Sequence, residues 1–131
     1  MKNFEELVAW QIAIDVAKET YLLTKQFPKE EIFGLVSQMR RSSVSISSNV
    51  AEGFGRRSPK DKERFYMIAL GSLLELKSQL YVSVEVGIID EDKTKPLLEK
   101  IESNHKLINA LAKSIRKDPL DAKCQSPVSN L

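Results

Sequence analysis

The stretch that decides the fold is Gln38–Phe65, QMRRSSVSISSNVAEGFGRRSPKDKERF. Its first half places Met39, Ser42, Ile46 and Val50 at three- and four-residue steps, the repeat of one helical face. Gly53 and Gly55 interrupt that repeat. Glycine takes the left-handed C-cap conformation cheaply, so a helix is expected to stop there. The second half opens with SPKD. Ser58 suits an N-cap, Pro59 the first helical position and Asp61 the capping-box position. The segment therefore reads as helix, tight turn, helix. Five basic residues crowd the turn and its exit: Arg56, Arg57, Lys60, Lys62 and Arg64.

Upstream, Leu7, Trp10, Ile14, Ala17 and Tyr21 share a helical spacing and predict a first helix from about Phe4 to Gln26. Pro28 disfavours helix at Phe27 and suits the first turn of the next element. The second helix is expected over about Lys29–Glu52, with Leu35 added to its inner face and Gly34 as a kink or restart. Six serines lie between Ser37 and Ser48, so this helix calls for small side chains and close approach by a neighbour. The third helix should continue to about Val86, with Gly87 as its stop and Phe65, Ala69, Ser72, Leu76, Leu80 and Ser83 inside. A fourth is expected between about Asp90 and Lys117, with Leu97, Ile101, Ile108, Leu111 and Ile115 as its stripe. Pro96 leaves the start of that helix ambiguous. Short connections make neighbours antiparallel. The fold class is all-α, an up-down-up-down four-helix bundle over residues 1–117, with a polar, disordered tail at 118–131.

The 131 residues suffice for one domain with a core that needs neither disulfides nor metals. With 42% hydrophobic and 29% charged residues the composition is that of a globular protein. The net charge of +2 means that electrostatic function must come from local clustering. The lone cysteine, Cys124, excludes a disulfide scaffold within one chain. The first ten residues, MKNFEELVAW, have no apolar signal region, and no run approaches a membrane span. A cytoplasmic protein with no membrane partner is the expectation.

Helices one and three carry apolar residues away from their inner stripes: Ile12, Val16 and Leu23 on the first, Leu70, Leu74 and Tyr81 on the third. A monomeric bundle needs one apolar stripe per helix. Either these six residues form a subunit interface or the helices are buried more deeply than a simple bundle requires.

Catalytic chemistry finds little footing. His105 is the only histidine and borders the core stripe of helix four, where a structural role accounts for it. No Glu-x-x-His pair supports a di-metal site. No serine stands in a nucleophile elbow. GFGRR lacks the Lys-Ser/Thr ending of a phosphate loop. The expectation is a non-enzyme with no catalytic residues, no cofactor and no metal. The basic turn differs. Cations beside a helix N-terminus suit a phosphate backbone, giving affinity without sequence readout. Asp61 and Glu63 interrupt the run, and a solvated turn with local ion pairs is the competing explanation. Arg40 and Arg41, mid-helix, serve either structural pairing or nucleic-acid contact.

Taken together, LVAWQIAIDVAKETYLLTKQFPKEEIFGL and QMRRSSVSISSNVAEGFGRRSPKDKERFYMIALGSLLEL resemble the bacterial four helix bundle protein family. Its members are known from intervening sequences of large-subunit rRNA genes and were once labelled ribosomal proteins. The family includes the accessory variability determinant of diversity-generating retroelements. The WQ, QxRR, SNxAEG-x-GR and GSLLEL blocks carry the resemblance across Phe4–Gly87. It implies a four-helix protomer and a homopentameric barrel, which in the retroelement members has a basic surface that binds nucleic acid, RNA or DNA, and a reverse transcriptase. Arg40 and Arg41 fall in the QxRR block and Arg56 in the GxGR block, followed by Arg57, Lys60, Lys62 and Arg64. The modest net charge departs from the retroelement members and favours the stand-alone or rRNA-intervening type. The expected function is a nucleic-acid-binding accessory protein. A scaffold for an acidic partner protein or a reverse transcriptase is the alternative.

Overall fold

The computed structural model describes residues 2–116. Four helices account for most of them: α1 (Val8–Thr24), α2 (Ser37–Gly55), α3 (Pro59–Glu85) and α4 (Glu91–Arg116). A 3-10 turn at Phe4–Glu6 leads into α1, and another at Lys29–Glu31 follows Pro28. α2 packs against α1 and α3, and α4 against α3 and α1, so α1 and α3 are diagonal. This is the expected antiparallel four-helix bundle. The residues expected as a disordered tail, 118–131, and Cys124 within them lie outside the described residues.

Punctuation residues set most of the helix ends. Ser58 Oγ accepts a hydrogen bond from the Asp61 amide at 3.0 Å, with Pro59 opening α3. Gly87 ends α3 at φ 79°. The Ile88 amide reaches back to the Ser83 carbonyl at 2.9 Å and the Gly87 amide to Val84 at 3.0 Å, a Schellman pair. Gly34 leaves helical space (φ −106°, ψ −112°), so the expected weak point is a kink inside Ile32–Val36, and α2 begins at Ser37. α4 starts at Glu91 and accommodates Pro96 internally.

Gly53 and Gly55 work differently from expectation. Neither has a positive φ, and α2 runs through both before Arg56 turns extended (φ −75°, ψ 152°). Gly53 is a packing residue. A Cβ on it would lie 2.5 Å from Cε1 of Tyr66, whose side chain is 3% exposed. Further along the same interface Ser45 Oγ and Ser72 Oγ hydrogen-bond at 2.8 Å. The small side chains of α2 let α3 come this close.

The inner face of α1 is also not the expected one. Ala9, Ala13, Val16, Thr20 and Leu23 are buried, whereas Ile14 and Tyr21 are each 40% exposed. Thr20 and Thr24 satisfy their buried hydroxyls on the carbonyls of Val16 and Thr20, at 2.7 and 2.8 Å. Asn104 of α4, fully buried, donates to the Ala9 carbonyl at 2.9 Å and ties α4 to α1.

Val16, Leu23 and Leu70, expected at a subunit interface, are therefore core residues of the protomer, at 0%, 8% and 8% exposure. Ile12 is partly buried against the same core. Leu74 and Tyr81 stay on the surface, at 55% and 51% exposure.

Gly53→Ala is expected to destabilise the fold by about 1–3 kcal/mol, because the added methyl must displace the Tyr66 ring. Gly55→Ala, with nothing within 4 Å, should be neutral or slightly stabilising. Denaturant midpoints of the two variants check the contrast, and equal midpoints would refute it.

Candidate nucleic-acid interface

The basic residues separate into two places. Arg40 and Arg41 lie in the second turn of α2, and the others surround the α2–α3 connection. About 22 Å of helix separates Arg41 from Arg56, so the two groups do not form one site.

Arg40 is structural. Its Nε donates to Thr24 Oγ1 at 3.0 Å and its guanidinium lies 4.6 Å from the Tyr21 ring centroid. It bridges the end of α1 to the start of α2. Arg41 is exposed and forms no ion pair among the described residues.

At the other end, Lys62 also leaves the candidate set. Its ammonium donates to the Phe54 carbonyl at 2.7 Å and lies 3.4 Å from that of Gly53, closing the C-terminal end of α2. Burial pushes its pKa below the ordinary lysine value. Its stem passes the Phe54 ring, with Nζ 5.5 Å from the centroid. These carbonyls draw the ammonium towards α2 and away from the open side of the turn.

Four cations remain. Arg56 pairs with Glu52 at 3.1 Å, one turn back on α2, and its guanidinium lies 4.5 Å from the Phe65 centroid. Arg64 lies 4.8 Å from the same centroid. Arg57 and Lys60 are exposed and form no ion pair among the described residues. Asp61 is spent at the start of α3, where a carboxylate suits the helix dipole. A groove of about 670 Å³ adjoins Arg56, lined also by Phe4, Ser48, Ala51, Glu52 and Gly55. The Glu52 carboxylate makes it a poor seat for phosphate.

The aromatic partners escaped the sequence reading. Phe65 was expected in the core. It is half-buried, outside the residues packed on the core, and sits against two guanidiniums. The visible signal was the pair of phenylalanines, Phe54 and Phe65, bracketing the basic run. His105 is half-buried on α4. Among the described residues no cluster of three or more His, Cys, Asp or Glu side chains is placed to hold a metal ion. No described helix is long and apolar enough to cross a membrane.

These features define an all-α bundle that concentrates cations and aromatic rings at one helix–turn–helix end. The chain belongs to the 23S rRNA-intervening sequence protein family, whose model matches residues 5–110. It is similar in structure to a crystallised protein of unknown function from the S23 ribosomal protein family of Bacteroides thetaiotaomicron. The TM-score is 0.75 at 21% identity, covering 81% of this chain and 99% of that one. That likeness is one of fold. No curated protein matches the chain.

Lys62→Met keeps the apolar stem and removes the donor to Gly53 and Phe54. It should lower stability by about 1 kcal/mol and leave the salt dependence of any nucleic-acid binding unchanged. Thermal unfolding and a salt titration on one preparation read both quantities. An unchanged stability with a weakened salt dependence would return Lys62 to the interface.

Proposed function

We propose that this protein is a non-enzymatic, homo-oligomeric accessory protein that binds RNA or DNA through the basic α2–α3 end. The observation that carries this reading is the exposure of Arg57 and Lys60 without ion pairs among the described residues, beside Arg56 and Arg64. Cations left without protein partners are available to phosphates, and each phosphate neutralised releases condensed counterions. Backbone contacts of this kind give affinity and orientation, with no sequence preference.

Self-association is supported by the outer face of α3. Met67, Leu74 and Tyr81 recur at seven-residue steps, flanked by Ile68 and Val82, and all five are at least 40% exposed. Gly71 and Ser78 between them are exposed and small, so a second helix can approach. Such a continuous apolar strip marks an interaction surface. The homopentameric barrel implied by the family resemblance is the assembly we assign to it.

A second reading, a scaffold for a protein partner such as a reverse transcriptase, draws on the opposite end of the bundle. There Phe33 is 95% exposed beside Ile32 at 53%. It calls for capture of one partner protein by the nucleic-acid-free chain, lost in Phe33→Ser.

Binding to structured RNA should weaken steeply with salt. Arg57→Gln and Lys60→Gln should each flatten the log–log slope by about one. Salt-independent binding, or none, would overturn the nucleic-acid reading. For assembly, Leu74→Asp should reduce the mass seen by light scattering to that of one protomer. An unchanged mass would remove the α3 face from the interface.

A further inference from the structure

Phe65 stands in an unusual position for a phenylalanine in a helical bundle. It lies two turns into α3, yet it is not among the side chains packed on the core. Its ring instead has the Arg56 guanidinium 4.5 Å and the Arg64 guanidinium 4.8 Å from its centroid. Burial of apolar area does not account for a ring at the rim of the basic end. Nor does charge balance, because Glu52 already pairs with Arg56 and needs no aromatic ring to do so.

We propose that Arg64, held against the Phe65 ring that it shares with Arg56, is a platform for an unpaired base of a single-stranded nucleic acid. This rests on the nucleic-acid reading above and specifies the form of the ligand. A guanidinium is planar, and bases stack on such planes as they do on aromatic rings. The Arg64 guanidinium lies 4.8 Å from the Phe65 centroid, and the residue is exposed. Cation–π contact with the ring restrains Arg64 before any ligand arrives, so less side-chain freedom is lost on binding. Arg57 and Lys60, seven and four residues before Arg64, supply the charge that holds the adjoining phosphates. Base and backbone are thus addressed at one corner of the bundle. A duplex keeps its base faces stacked inside, so it engages only the phosphate contacts.

Fluorescence anisotropy on the full chain tests this with three probes: an unstructured RNA of about 12 nucleotides, an abasic ribose–phosphate strand of the same length, and a blunt duplex. The unstructured RNA should bind at least about five-fold more tightly than the abasic strand. Arg64→Lys, which keeps the charge and loses the plane, and Phe65→Leu, which keeps apolar bulk, should each bring that ratio close to one. Circular dichroism confirms that both variants are folded. Equal affinity of the native chain for both single strands would overturn the platform and leave the phosphate reading standing. Preference for the duplex, or a ratio that survives both substitutions, would overturn it likewise. Failure to bind any of the three probes would overturn both readings.

Discussion

The close approach of α2 to α3 is the constraint on which the rest depends. Gly53 lies under the Tyr66 ring with no room for a Cβ, and Ser45 meets Ser72 at 2.8 Å. Small side chains give two helices many short-range contacts along their length, and dispersion gains of this kind are large only collectively. The pairing is antiparallel because a connection of only three residues, Arg56–Ser58, joins the helices. That same connection fixes where the cations emerge. The basic end is therefore a consequence of helix packing as much as of local composition.

Within that end, fold and function compete for the same cations. Lys62 is drawn inward by the carbonyls left open where α2 stops. Arg56 is divided between Glu52 and Phe65. The exposed cations that remain follow from the geometry of the α3 start: residues three or four apart share a helical side, so Lys60 and Arg64 project together while Lys62 turns back towards α2. Arg40 shows the same division at the far end, committed to Thr24 and Tyr21, with its neighbour Arg41 exposed.

The bundle is also held by polar contacts that a purely apolar account would omit. Lys100 pairs with Glu19 at 2.9 Å and Lys77 with Glu102, linking α4 to its two neighbours. The second pair lowers the Glu102 pKa and raises that of Lys77, chiefly through the hydrogen bond between them. Exposed pairs of this sort contribute little to stability. Asn104 donating to the Ala9 carbonyl matters more for register, because a buried amide displaced from its partner is costly.

The sequence by itself determined the helix count, the antiparallel order and most boundaries, because these depend on local chemistry. Ser58 and Pro59 start a helix, Gly87 ends one through a positive φ, and Gly34 breaks one, whatever surrounds them. The inner faces of α2 and α4 were legible too, since each has a clear polar side opposite. The tertiary structure decided what periodicity could not. The apolar arc of α1 is broad, and its buried face proved to be the small one, Ala9, Ala13 and Thr20, rather than the one bearing Ile14 and Tyr21. Shape against neighbouring helices made that choice, and hydrophobicity alone is blind to it. For the same reason Val16, Leu23 and Leu70 moved from the surface to the core, and Phe65 from the core to the basic rim. A sequence states which residues are charged. Only the packed structure decides which charges are already spent, because that depends on carbonyls, carboxylates and rings contributed by other helices.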